Sequence, residues 1–250
     1  MARIKSNFDL EQLRTAGRIA AEIVETLSHE LEEGVSAAQI DAHAAQLCQE
    51  YGVEAAFLGY EGFPNSICIA VNDEVVHAIP HAQKVFRDGD LVKLDFGVKY
   101  RGYYSDHCRT FAIGSLSDRH AELLKAGEEA VMNAVAQCRT GNRVGDVSYA
   151  MQSTAENVGF DVVRMYIGHG IGKRLHEEPE VPAFGTPGTG PVLQQNMVIC
   201  VECQVCEFSA DVKHDRDGWT SRTKDGGMAV MFEHMVRITD QGPDILTVTG

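Results

Sequence analysis

No apolar run in this 250-residue chain approaches the ~20 residues that a helix needs to cross a bilayer. Basic side chains are also scarce. The 22 Lys and Arg stand against 36 Asp and Glu, and the net charge of −14 argues against a nucleic-acid-binding surface. Seven cysteines are an odd number and too sparse for a disulfide framework, which suits a reducing cytosol. The opening stretch MARIKSNFDLEQLRTAGR has no apolar core of a secretory signal, and no low-complexity segment or long linker interrupts the chain. What remains is ordinary for a globular protein, 44% apolar and 23% charged. The expectation is one cytoplasmic domain over residues 1–250, large enough for a sizeable core.

Periodicity divides the chain into two similar halves. Ser6, with Asp9 three residues on, predicts a helix start, and Leu10, Leu13, Ile19, Ile23, Leu27 and Leu31 share a helical face. Ser36 with Gln39 predicts a second start, and Gly52 a stop. Extended segments follow over 67–71, 91–98 and 104–113. The order then recurs, with helices over 117–139 and 146–158, ended by Gly141 and Gly159, and extended segments over 162–166, 197–205 and 228–239. VFRDGDLVKLD (85–95) and VLQQNMVICVE (192–202) are matching stretches: each begins with Val, passes through a polar turn into a β-like run and ends on an acid.

Those terminal acids stand where a fold normally puts apolar residues. Asp95 interrupts LVKLDFGV, Glu202 interrupts MVICVECQV and Glu233 interrupts MAVMFEHMVRI. A buried carboxylate must protonate, pair with a cation or bind metal. Few cations flank these three acids: Lys93, Lys99 and Arg237 are the basic side chains within four residues. Asp106, across a hairpin from Asp95, and His169, framed by glycines in IGHGIG, complete a hard-donor shell suited to a pair of divalent ions. A two-residue turn at Tyr100-Arg101 sets Asp95 directly opposite Asp106, whereas a three-residue loop ending in Gly102 moves Asp106 to the other face unless a bulge restores it. His77 and His176 are not needed as ligands and suit substrate contact or oxyanion stabilisation. A rival signal is Cys200-Val-Glu-Cys203-Gln-Val-Cys206, a spacing that thiol-bound zinc or iron–sulfur clusters use. Strand alternation sets Cys203 on the opposite face from the other two, so small buried residues are the preferred reading.

The segments SICIAVNDEVVHAIP, DGDLVKLDFGVKYRGYYSDHCRTF, IGHGIGKRLHEEPEVP, MVICVE and FEHMVRIT resemble the type I methionine aminopeptidases over almost the whole chain. The resemblance implies the pita-bread α/β (α+β) fold, two pseudo-symmetric helix-helix-strand halves with antiparallel sheets around a dinuclear metal centre. It implies removal of the N-terminal methionine from nascent proteins and peptides, preferably before a small second residue. By position Asp95 would chelate one ion, Asp106 and Glu233 would bridge, and His169 and Glu202 would complete the other shell, with two divalent ions (Co, Mn, Fe(II), Zn or Ni) per chain. Activated water would attack the first peptide carbonyl, with Glu202 as proton shuttle, His176 at the tetrahedral intermediate and His77 on the substrate amide. Tyr60, Phe63, Cys68 and Trp219 would form the methionine pocket. The implied partners are peptide or nascent-chain N-termini, met at the ribosome by a monomer, with neither nucleic acid nor membrane.

Several positions depart from the family pattern. Cys203 replaces a proline, Gln195-Asn196 a Pro-Gly, Leu175 an aromatic and Phe57 a smaller residue. They leave the ligands intact and bear on the pocket and its supporting turns. Alternatives are a catalytically inactive peptide- or ribosome-binding module of the same fold, which should have lost ligands, and a related aminopeptidase with altered P1 preference. The prolidase and creatinase group usually carries a separate N-terminal domain, yet here the catalytic pattern begins within the first hundred residues.

Overall fold

The computed structural model describes residues 6–250, beginning with helices α1 (Asn7–Ser28) and α2 (Ala37–Tyr51). Ser6 Oγ accepts the Asp9 N–H at 3.1 Å, and Ser36 N–H donates to Gln39 Oε1 at 2.9 Å, so both predicted starts are capped. Short strands β1 (Glu54–Ala55), β2 (Cys68–Val71) and β3 (Glu74–Val76) precede the long hairpin β4 (Leu91–Tyr100) and β5 (Tyr103–Ala112). Helices α3 (Asp118–Val135) and α4 (Val144–Glu156) follow. The first is shorter than expected, and α4 starts before Asp146 because that carboxylate receives the Arg143 N–H at 2.7 Å from inside the first turn.

The remaining strands are β6 (Asp161–Val162), β7 (Ile167–Gly170), β8 (Glu177–Pro182), β9 (Val198–Cys206), β10 (Val212–His214), β11 (Ser221–Thr223), β12 (Ala229–Thr239) and β13 (Gly242–Ile245). The extended segment expected over 162–166 is thus divided. Only Asp161 and Val162 pair with β9, and the longer strand lies beyond it and carries His169.

Ten strands form one antiparallel sheet ordered β1-β4-β5-β12-β9-β7-β8, with β2 on β4, β6 on β9 and β13 on β12; β10, β11 and β3 form a second. Alternation gives the large sheet two unlike faces. Val92, Leu94, Phe96 and Val98 of β4 pack under α1 and α2, while Ile199, Val201, Cys203 and Val205 of β9 pack under α3 and α4. The intervening residues, Lys93, Asp95, Cys200, Glu202 and Gln204, occupy the face away from the helices and are buried too. Burial on both faces explains why the strands read as continuous apolar runs interrupted by acids.

The two halves repeat the same backbone bonds at a constant offset of 107 residues. Gly34 N–H donates to Phe86 O as Gly141 does to Leu193 O, and Ala37 to Lys84 O as Val144 does to Pro191 O. Bridges Ser36↔Val85 and Arg143↔Val192 match likewise. Gly89 (φ 86°) corresponds to Asn196 (φ 68°), so asparagine takes the left-handed position that the expected Pro-Gly would have given to glycine.

Candidate metal centre and adjoining pocket

Arg101 and Gly102 form the hairpin turn, both with positive φ (49° and 81°), the combination of a type I′ turn. This corrects both expected registers. Tyr100 faces Tyr103, Asp95 faces Cys108, and Asp106 faces Gly97. Moving the two-residue turn by one position shifts pairing by two residues, so the two acids keep one sheet face and meet diagonally instead of directly. Gly97 admits this pairing closely, since a Cβ there would stand 2.6 Å from Ser105 O.

Cys108 also faces Glu233 of β12, and Glu233 faces Glu202 of β9. One ladder row therefore crosses four strands as Asp95, Cys108, Glu233 and Glu202, with Asp106 two residues along. His169 enters from β7, its Nε2 3.9 Å from Asp106 Oδ2. The glycines around it serve close backbone approach, not unusual φ. A Cβ on Gly168 would meet Cys200 O at 2.4 Å, and one on Gly170 would meet Glu178 O at 2.3 Å. Carboxylate oxygens of Asp95, Asp106 and Glu233 lie within 4.8 Å of one another, as do donor atoms of His169, Cys200 and Glu233.

Among the described residues no lysine or arginine lines this cleft. The nearby cations are engaged elsewhere: Lys93 Nζ donates to Asn72 O and Ala229 O, Lys99 pairs with Glu54, and Arg237 binds Asn196 and Asp244. Burial and mutual repulsion hold Asp95, Asp106 and Glu233 well above the usual carboxylate range. Burial pushes Glu202 up to about 7, opposed by a 2.5 Å hydrogen bond from Gln204 Nε2. Burial and neighbouring His176 push His169 down to about 3, a neutral imidazole free to ligate. Asp95 Oδ1 and Glu233 Oε1 have no hydrogen-bond partner. Four buried carboxylates and a neutral imidazole with unspent acceptors fit divalent cations better than any protein cation present.

Next to the acids, a cleft is lined by Tyr60, Phe63, Cys68 and Trp219, the four pocket candidates. Phe63 and Trp219 meet edge to face at 5.2 Å. Phe57, Leu175, Val76 and Met231 add to its apolar wall. Both accessory histidines line the same cleft. His176 Nδ1 lies 2.8 Å from Tyr60 Oη, and its ring stands 4.4 Å from that of His169. His77 adopts φ 56°, a conformation uncommon outside glycine, with its ring against Tyr166 at 5.1 Å.

Reasoning on the sequence overlooked Gln204, which holds Glu202, and His107, whose Nδ1 lies 2.7 Å from Glu233 O while its ring stacks on His234. Gln204 was within reach, since two residues after Glu202 on a strand is the same face. The three cysteines of the C-x2-C-x2-C stretch separate into three clusters: Cys203 under the helices, Cys206 with Val75, and Cys200 with Cys68, Leu175 and Met235 behind the cleft wall. They do not form one thiol site.

The model of metallopeptidase family M24 matches residues 11–240. The methionine aminopeptidase of Clostridium acetobutylicum is 41% identical over 248 residues, 99% of each chain. A crystal structure of the Thermotoga maritima methionine aminopeptidase superposes with a TM-score of 0.97 at 39% identity, covering 99% of both chains. Prolidase from Pyrococcus horikoshii shares the fold at TM-score 0.80 and 25% identity, but this chain covers only 65% of it. The chain belongs to the M24 metallopeptidases, a family whose chemistry requires divalent metal. Within that family its similarity over full length is to the methionine aminopeptidases, whose pita-bread fold it shares.

Proposed function

We propose that this chain is a methionyl aminopeptidase, a single catalytic domain that removes the first methionine of peptides and nascent proteins when the second residue is small. The carrying observation is the convergence of four buried, cation-free carboxylates and His169 beside an apolar cleft of aromatics and sulfur. Asp95, Asp106, His169, Glu202 and Glu233 would hold the divalent ions. When bound, such ions supply Lewis acidity to the carbonyl and lower the pKa of water.

The protein's own groups divide the remaining work. Glu202, near neutrality through burial, takes the proton of the attacking water, and Gln204 fixes which oxygen stays free. With Tyr60 O–H donating to Nδ1 of His176, Nε2–H remains to stabilise the developing oxyanion. His77 contacts the substrate amide. Tyr60, Phe63, Cys68 and Trp219 receive the thioether, whose polarisable sulfur suits an aromatic and thiol wall. Nascent-chain N-termini at the ribosome are the proposed partners, and the chain acts as a monomer without nucleic acid or membrane contact. Among the described residues no helix is long and apolar enough to cross a membrane.

Metal analysis followed by hydrolysis of a Met-X peptide series, with X from Gly to Leu, tests this reading. Release of methionine from Met-Gly and Met-Ala with Mn, Fe(II) or Co supplied is expected, falling steeply for larger X. Two bound ions without release would remove the aminopeptidase reading. Because Phe57 and Leu175 shape the wall, norleucine and leucine in place of methionine measure how far P1 preference has moved.

A further inference from the structure

Among the described residues, Cys200 is the member of the cysteine stretch whose thiol lies with donor atoms of the acid cluster. It lies on β9 two residues before Glu202, on the same sheet face, and is fully buried among Cys68, Leu175 and Met235. Its Sγ, a ring nitrogen of His169 and a carboxylate oxygen of Glu233 lie within 4.8 Å of one another. Glu233 is 2% exposed and its Oε1 has no partner. The remaining donor triad, Asp95, Asp106 and Glu233, is all oxygen. The centre thus offers two unlike subsites that share Glu233, one hard and one containing nitrogen and sulfur. Softness matching favours different ions at the two: carboxylates take Mn or Mg, whereas thiolate with imidazole favours Zn, Co or Cd.

We propose that Cys200 is a metal ligand of this chain, completing with His169 and Glu233 a thiolate-containing subsite that prefers soft divalent ions. Coordination releases the thiol proton to solvent as the Sγ–metal bond forms. The inference rests on the metal-centre reading above and adds to it a donor that an all-oxygen-and-imidazole shell lacks.

Anaerobic titration of metal-free protein with Co(II), followed by absorption, tests it directly. Wild type should develop the near-ultraviolet sulfur-to-cobalt charge-transfer band, saturating with one equivalent. Cys200→Ser should bind Co(II) without that band and lose about tenfold or more in Cd(II) affinity while Mn(II) affinity changes little. Cys203→Ser, altered on the opposite sheet face, should keep the band. Wild-type cobalt binding with no charge-transfer band overturns the proposal and leaves the hydrolase reading in place, whatever Cys200→Ser does. No cobalt binding at all would overturn both. Because Cys68 and Cys108 also lie beside the acids, a band kept by Cys200→Ser overturns the proposal too, and Cys200→Ala takes its place if the serine variant fails to fold.

Discussion

The halves of this molecule agree where they build scaffold and disagree where they build chemistry. At an offset of 107 residues they share the left-handed turns at Gly34 and Gly141, the helix stops at Gly52 and Gly159, and the bonds that tie each second helix to its strand. Asp95 and Glu202 obey the same offset. The symmetry fails one strand further on. Cys108 faces Asp95 where Glu233 faces Glu202, so the first half draws its second acid from Asp106 instead. Between α2 and β4 the first half carries pocket walls, Tyr60, Phe63 and Cys68; the corresponding stretch of the second half carries His169 and His176. A repeated frame fixes where two strands meet, and the site is made by residues that break the repeat.

The sharpest way to break that comparison is to remove one of the equivalent acids. Asp95→Ala should lower kcat/KM on Met-Ala peptides on the order of a thousandfold or more, since a lost metal contact forfeits several kcal/mol of electrostatic stabilisation. Glu202→Ala should lose as much and additionally lose its proton acceptor; retained turnover in either would show that acid misassigned. A smaller effect separates the second half's imidazole from the first half's phenol. His176→Ala should cost about a hundredfold in kcat, as for a lost oxyanion donor, whereas Tyr60→Phe keeps the ring and should cost only several-fold. Equal losses would show that the two act otherwise than as donor and support. The glycine frame gives a stability counterpart. Gly168→Ala drives a methyl against Cys200 O and should destabilise by about 1–3 kcal/mol in thermal melts, while alanine at Gly190, 3.5 Å from its nearest neighbour but at φ 78°, tests backbone strain without a clash.

Much of this was legible because burial and acidity conflict within strands. Asp95, Glu202 and Glu233 stood out against apolar strand neighbours, but that they share one sheet face follows from the pairing of β4, β5, β12 and β9, which local pattern does not give. The hairpin register was not legible, because Tyr100-Arg101 and Arg101-Gly102 are both plausible turns and arginine at positive φ is disfavoured on its own. The segment over 162–166 misled because Val162, Val163 and Tyr166 have strand propensity, yet the paired strand is the glycine-rich IGHG, which propensity disfavours and close backbone packing requires. Strands β3, β8, β10 and β11 are short or carry charge, and tertiary pairing, not local pattern, makes them strands.

The smallest expected effect tests whether the shared centre is an uncompensated charge cluster when metal is withheld. The four acids are raised by burial, Glu202 to about 7. A raised carboxylate favours folding below its unfolded pKa and loses that contribution as pH rises through the folded value. The depressed histidines His77, His107, His169, His176 and His234 act oppositely, destabilising the fold as pH falls below their ordinary 6.5. The two sets compete in mild acid, so the informative window lies above 6.5, where unfolded histidine is mostly neutral and the acids are still ionising. Chelator-treated protein should lose on the order of 1 kcal/mol between pH 6.5 and about 8, read from urea midpoints. Saturating Mn(II) should flatten or reverse that slope, because cation binding replaces the protons. A metal-free protein equally stable across the window would mean that the acids are already compensated within the chain, and the case for a cation at the junction of the halves would fall with it.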